Sequence, residues 1–326
     1  MLWQRFYEAI KNKKSFLISA HLGLEGDAVG SSVALSAFLR SLGKQTILLN
    51  DDPIPDNLLF LTANDTVLQS TDSLVHDAIA AAEACFVVDV SNWNHMGKTG
   101  KLIESSGKPI YCIDHHQCSE PIGDIAHIDP SACSAGILIY DLIRSYDSAS
   151  VSKEIAQAVY TAIITDTGNF RFSNTNAAAF TICADLMNQG INHSAICNEV
   201  YENNPVSRFR LMHETLGTLK LSDDGRIVWV IITQDMLAKT HSTIKEAEGF
   251  VDMLRTIKGV ELSILFRQLS PDTTKATFRS KEYIDVQQLA SHFNGGGHKR
   301  AAGATIHAPV DKAVEQVLST AKTMAR

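Results

Sequence analysis

The sequence predicts two α/β domains, the first built on a parallel sheet and the second smaller. Residues 1–203 alternate short apolar runs with helical patterns, as expected for parallel strands covered on both faces. Asn203-Asn204-Pro205 then breaks the chain. Beyond it, strand pairs mix with helices. The expected boundaries are 1–203 for the first domain, 204–216 for a linker helix and 217–326 for the second domain.

Ser15–Ala20 reads as the first strand, and Gly30–Leu42 as a helix of small and apolar residues ending near Gly43. Gln45–Leu49, Cys85–Val90 and Ile110–Ile113 are further strands, the middle one of fully buried type. Ala135–Arg144 and Lys153–Ile164 are helices. Residues 206–221 read as a connecting helix, Ile227–Ile232 as a strand and Ile244–Ile257 as a helix. Val260–Leu269 and Lys275–Ser280 form a hairpin around Pro271-Asp272. Asp285–Phe293 is helical, Ala302–Ile306 a strand and Val310–Met324 a closing helix. No internal repeat or low-complexity segment interrupts this pattern.

Composition narrows the function. With 326 residues, 45% hydrophobic and 20% charged, the chain is of ordinary globular type. Its net charge of −7 makes it a poor coat for long duplex nucleic acid. The charge is uneven: residues 1–216 carry −10 and residues 217–326 carry +3. That division suggests carboxylates around metal in one half and anion binding in the other. No apolar run is long enough for a membrane span. The first residues carry Arg5, Glu8 and Lys11 where a signal peptide would be apolar. The six cysteines lack paired zinc spacing, so reduced thiols and a cytoplasmic location are expected.

The chemistry-bearing residues fall at strand ends, where ligands bind in open parallel sheets. His21, Glu25 and Asp27 lie within seven residues of one another after the first strand. Gly26 is expected to turn the backbone between the two carboxylates, and Gly30 to allow close packing. Asp89 ends an apolar strand, a costly place for a carboxylate unless it is paired or metal-bound. Asp114-His115-His116 follows another apolar strand. Neighbouring side chains on extended backbone point opposite ways, so His115 and His116 need not share a role. Asp166 sits in Thr165-Asp166-Thr167-Gly168 at the end of a helical run. Imidazole with carboxylate suits manganese, magnesium, iron or cobalt better than structural zinc.

The set His21…Asp27, Asp89, Asp114-His115-His116 and Asp166 resembles the DHH phosphoesterase family. The run Gly295-Gly296-Gly297-His298-Lys299-Arg300-Ala301-Ala302-Gly303 is similar to the signature of the DHH-associated C-terminal domain. Together the motifs cover almost the whole chain. The resemblance implies two divalent ions, with manganese the expected metal. His21, Glu25 and Asp89 would hold one ion. Asp27, Asp89, His115 and Asp166 would hold the other, with Asp89 bridging. Asp114 would orient a ligand, and His116 would face the scissile phosphate. One position departs from the family pattern: Leu24-Glu25-Gly26-Asp27 stands where Pro-Asp-Gly-Asp is usual. Glu25 keeps the charge and adds a methylene.

Three glycines in a row can bring backbone N–H groups to an anion, although alone they would read as a loop. Through the resemblance, Arg279, Gly296, Gly297 and His298 become substrate-binding residues, with the active site in the cleft between the domains. Arg267 lies in a neighbouring strand; Lys299 and Arg300 read as surface charges. Arg171 offers the first domain a phosphate contact, and Phe170 or Phe172 a stacking surface. Among DHH enzymes the chain is similar to the short bacterial oligoribonuclease and 3′-phosphoadenosine 5′-phosphate (pAp) phosphatase type. It implies metal-dependent hydrolysis of short single-stranded oligonucleotides of about two to five nucleotides or of phosphorylated nucleotides. Three other readings remain open: a RecJ-like single-strand exonuclease, a phosphodiesterase of signalling dinucleotides, and a nucleotide-binding module that has lost catalysis. A homodimer is also left open.

Overall fold

The computed structural model describes residues 3–118, 120–147 and 150–324, and of His298 the backbone alone. The chain divides into two compact units after Asn203. In the first, α1 (Gln4–Lys11) precedes β1 (Ser15–Ser19), α2 (Gly26–Ser41), β2 (Gln45–Asn50), β3 (Thr66–Gln69), α3 (Val75–Ala81) and β4 (Ala84–Val88). Then come α4 (Gly97–Ser105), β5 (Ile110–Asp114), β6 (Ile125–Ile128), α5 (Ala135–Tyr146), α6 (Lys153–Asp166), α7 (Ala177–Asn188) and α8 (His193–Cys197). The strands form one parallel sheet in the order β3-β2-β1-β4-β5-β6. The chain therefore winds one way from β1 to β3 and the other way from β4 to β6. The reversal opens a crevice at the carboxyl ends of β1 and β4, where doubly wound sheets bind ligands.

Every residue of β4 and β5 is buried, as continuous apolar runs require. The edge strands β3 and β6 are only half-buried, which is why their sequences do not announce them. The helix expected from Gly30 starts four residues earlier, at Gly26. All of α2 from Gly26 to Leu39 is buried, so its serines must find partners; Ser32 Oγ donates to the Ala28 carbonyl at 2.7 Å, and Ser36 Oγ reaches Asp65. Gly26 does not make the expected turn. It is the first helical residue, and a Cβ there would lie 2.4 Å from the Thr165 side chain. Gly30 lies inside the helix, where a Cβ would come within 2.4 Å of the Ala158 carbonyl oxygen. Gly30 lets the α2 backbone meet that of α6, and Gly26 makes room for the Thr165 side chain.

The second unit holds α9 (Val206–Leu216), β7 (Lys220–Leu221), β8 (Ile227–Ile232), α10 (Gln234–Thr240), α11 (Phe250–Leu254), β9 (Leu262–Ser270) and β10 (Thr273–Ser280). It ends with α12 (Val286–Ser291), β11 (Gly296–His298), β12 (Ala301–Ile306) and α13 (Val310–Met324). Its sheet runs β11-β12-β10-β9-β8-β7, with β8 and β9 parallel and the other pairs antiparallel. One face buries Phe266, Phe278 and Ala304 against Leu289 of α12 and Val317 of α13. The other buries Val228, Val230 and Leu265 beneath Leu211 of α9 and Leu254 of α11. The helix expected over Ile244–Ile257 is broken into a short 3-10 turn, Ile244–Ala247, and α11. Gly249 between them has φ +77, outside helical space. Among the described residues all six cysteines are free thiols, and no helix is long and apolar enough to cross a membrane.

The contact at Gly30 gives a direct test. Gly30→Ala places a methyl against a backbone oxygen that cannot step aside. The substitution should lower stability by about 1–3 kcal/mol despite better helix propensity, measured as a lower urea midpoint at unchanged m-value.

Candidate active site

The crevice collects its polar residues from five segments. His21 follows β1, on a loop pinned at two points. The Leu22 N–H donates to the His95 carbonyl at 2.7 Å, and the Gly23 N–H to the Asp52 carboxylate at 2.7 Å. Glu25 sits at the N-cap of α2, half-exposed, with Oε1 4.0 Å from His21 Nε2. Asp27, in the first turn of α2, is buried at the start of α5. Its oxygens accept from the N–H groups of Ala135 (2.7 Å) and Gly136 (2.9 Å) and from Ser31 Oγ (2.9 Å). The first N–H groups of a helix have no partner inside the helix, and its dipole favours a negative charge there.

Asp89 immediately follows β4. Its N–H still donates to the Ile113 carbonyl at 3.0 Å, but its φ is +57, in the left-handed region. Its two oxygens face different imidazoles. Oδ2 lies 3.3 Å from His21 Nε2, and Oδ1 lies 3.4 Å from His115 Nε2. His115 Nε2 is also 3.5 Å from Asp27 and 3.8 Å from Asp166, while its Nδ1 sits 3.1 Å from the Ala132 carbonyl. Asp166 is the last residue of α6, not part of a turn beyond it. Asn174 Nδ2 reaches Asp166 Oδ2 at 3.3 Å, and at 3.1 Å both the Asp166 and the Cys133 carbonyls.

β5 ends on Asp114, so the two histidines follow the strand directly. Their rings lie 4.5 Å apart at 60°, near one another instead of on opposite faces. Asp114 Oδ1 accepts from the N–H groups of His115 (2.7 Å) and His116 (3.1 Å) and holds His116 Nδ1 at 2.8 Å. Asp114 thus orients His116. His116 Nδ1 is also 3.6 Å from Asp89 Oδ1.

Burial opposes charge on each of these groups, and their neighbours decide the outcome. Burial disfavours the His21 imidazolium, yet contact with Asp89 carries it up to about 9. His115 rises to about 10 against the same penalty, through Asp89, Asp27 and Asp166. Burial raises Asp27 well above the carboxylate range, helped by the charges of Asp89 and Asp166. Asp166 rises to about 6 through burial, which the histidines only partly offset. Asp89 alone of these three is pulled below the usual range, because His115 and His21 outweigh its burial.

The cluster fits divalent cations. Among the described residues, both Asp89 oxygens and His115 Nε2 are buried with no hydrogen-bond partner. The Asp89 oxygens lie 3.3 Å from His21 Nε2 and 3.4 Å from His115 Nε2, close without hydrogen-bond geometry. A cation with bonds of about 2.1 Å holds adjacent ligand atoms about 3 Å apart. His21, Glu25 and Asp89 form one group of donors able to hold an ion, and Asp27, His115 and Asp166 form another.

Residues 15–163 match the model of the DHH family N-terminal domain, and residues 225–326 that of the DHHA1 domain. The chain is 31% identical to the bifunctional oligoribonuclease and PAP phosphatase NrnA of Thermus thermophilus, over 94% of this chain and 88% of that one. The chain belongs to the DHH family. The NrnA of Bacillus subtilis is 28% identical, over 90% of each chain. An exopolyphosphatase-related protein from Bacteroides fragilis, of known structure, is 28% identical. It superposes with a TM-score of 0.92 over 98% of this chain and 96% of its own. As a DHH-family enzyme the chain hydrolyses phosphoester bonds, and the triplet Asp114-His115-His116 lies within the matched segment.

The second unit places its expected residues differently from a loop. Gly296–His298 form the edge strand β11, paired with β12. Gly297 has φ +137, and a Cβ there would lie 2.5 Å from the Ala301 carbonyl oxygen; Gly296 faces open space. The side chain of His298 lies outside the described residues. Arg279, on β10, is held by Asp252 at 3.3 Å. Arg300 donates to the Ile284 carbonyl at 2.8 Å. In the first unit, Phe170 stacks on Phe180 with centroids 4.9 Å apart, and Arg171 Nε donates to the Gly168 carbonyl at 2.7 Å. Sequence reasoning missed Asn174 and the α5 N-terminus. Ser134, whose side chain caps that helix, was the available signal.

Two outcomes follow for this DHH site. Asp89→Asn should abolish turnover and any rise in Tm that an added divalent metal gives the wild type, with an unchanged circular dichroism spectrum. In the metal-free protein, His21 and His115 have raised pKa values, so the folded state binds more protons than the unfolded. Their stabilising share is complete below about pH 6.5 and is lost as pH rises towards about 9 and about 10. Tm in chelator should therefore fall across that window. Bound metal should flatten the fall, because it takes the deprotonated ligands.

Proposed function

We propose that this chain is a two-metal phosphoesterase of short single-stranded oligonucleotides and of pAp, working in the cytoplasm with manganese. The observation that carries the two-metal reading is Asp89, whose two unbonded oxygens face two different donor groups. A carboxylate placed in that way suits a bridge. His21, Glu25 and Asp89 would hold one ion, and Asp27, Asp89, His115 and Asp166 the other. When bound, such ions supply Lewis acidity and a nucleophile at neutral pH. The names of the two NrnA relatives support the substrate classes.

The protein's own residues have separable tasks. Asp114 fixes the His116 ring, and its contact raises the His116 pKa. His116 then offers positive charge as negative charge develops on the phosphoryl oxygens. Arg279 with the backbone of Gly296 and Gly297, and with His298, grips the remote part of the substrate. Arg279 must share its charge with Asp252, which tunes its hold on an anion. Glu25 is longer than the usual aspartate, and its half-exposed position leaves room for the extra methylene.

The test is kcat/KM on a length series of RNA and DNA, with pAp, at fixed salt and manganese. Dinucleotides to pentanucleotides and pAp should be the best substrates. Rates that climb steadily into long DNA would favour the RecJ-like reading, and no turnover at all would favour a binding module. On this series His116→Ala should lower kcat by about 10²-fold or more. Arg279→Ala should mainly raise KM.

A further inference from the structure

Outside the carboxylate–imidazole cluster, an unexplained arrangement of charge lies on the second sheet. Lys275 on β10 stands directly opposite Arg267 on β9, so both side chains leave the same face. Like charges in that relation destabilise an antiparallel pair. Among the described residues neither cation has a carboxylate partner, whereas Arg279 further along the face takes Asp252. Among the described residues Arg267 Nε is buried with no hydrogen-bond partner, a cost that proteins seldom carry without compensation. Its neighbour in register on β8 is the buried Ile232. Burial depresses the pKa of Arg267 and of Lys275, and Arg267 depresses Lys275 further.

Lys275 also borders an open cavity of ≈ 380 Å³, together with Phe293, Asn294, Gly303, Thr305 and His307, while Arg267 stands behind it across the strand pair. Thr305 is the partner of Lys275 on β12, and Gly303 leaves the adjoining floor without a side chain. The cavity walls offer Lys275, neutral hydrogen-bonding side chains and one aromatic ring, with Arg267 as the lysine's cross-strand neighbour. An anion would turn the repulsion between the cations into attraction for itself.

We propose that this face is a second anion site, taking a phosphodiester group of the bound strand, with Lys275 and Arg267 as its charge and Thr305 and Asn294 as neutral partners. Four residues separate Lys275 from Arg279 on one strand, about 13 Å at ~3.3 Å per residue. The site is therefore separate from the group at Arg279 and favours strands longer than a dinucleotide. This deepens the oligonucleotide reading above and rests on it.

Full-length protein in chelator, without turnover, gives the test. Lys275→Gln and Arg267→Gln should each raise Tm in plain buffer, because the repulsion is gone. Each should also weaken pentanucleotide RNA binding about tenfold or more. The slope of log affinity on log salt should fall by about 0.7, with a much smaller effect on a dinucleotide. Inorganic pyrophosphate is the second probe. If the variants lose pyrophosphate binding but keep the pentanucleotide, the occupant is a free polyphosphate and the strand assignment is overturned. Lower Tm in both variants with wild-type affinity for both probes overturns the site itself. Failure of the wild type to hydrolyse any oligonucleotide would instead strike the function proposed above, and the pyrophosphate arm would still read the site.

Discussion

A buried carboxylate without hydrogen bonds is the constraint around which the first unit is arranged. Asp89 is inaccessible, sits in left-handed backbone and offers two oxygens that none of the described residues hydrogen-bonds. Desolvating such a charge costs several kcal/mol unless something compensates. In the metal-free protein the compensation comes from His21 and His115, held near it and charged by it. The neighbours that make this tolerable are the donors a cation would recruit. Asp27 and Asp166 rise in pKa through burial first, and the charge kept by Asp89 adds to the rise. The cluster therefore behaves as a proton store that a divalent ion can displace.

Sheet topology makes that arrangement possible. The reversal between β1 and β4 leaves a crevice, and the loops after β1, β4 and β5 all open at the same edge. Helix packing then sets the details. α2 approaches α6 closely because Gly26 and Gly30 lack side chains, which brings Asp27 from one helix near Asp166 from the other. α5 directs its first N–H groups at Asp27. Asn174 ties Asp166 to the Cys133 carbonyl, just ahead of α5. A packing change at Gly30 would therefore reach the site through helix positions without touching a ligand.

Much of this was legible in the sequence, for identifiable reasons. β8 and α13 were readable to the residue, because apolar pattern and turn residues agree there. β3 and β6 were not, since half-buried edge strands lack a strong pattern. The start of α2 was missed because Glu25-Gly26-Asp27 reads as a turn until α6 is seen against it. The chemical cluster stood out because histidines and carboxylates at strand ends are conspicuous in composition. Asn174 and the N–H groups of Ala135 and Gly136 were hidden, since amides and backbone carry no such mark. The glycine run read as a loop alone; its strand pairing depends on β12 lying beside it.

The like-charge couple in the second unit shows where sequence reading ends. Arg267 and Lys275 are each ordinary as strand residues. What makes them unusual is register, and a shift between Thr273 and Thr274 decides which residue faces Arg267. A one-residue slip would put Lys275 on the face that carries Ala276 and Phe278, where a charge is not tolerated. Register is therefore fixed by the core, and the repulsion on the opposite face is its consequence. A fold that holds two cations together at a cost, beside a cavity with hydrogen-bonding walls, has the same logic as the carboxylates of the first unit. In both places the protein holds like charges close, and a ligand of opposite charge would relieve them.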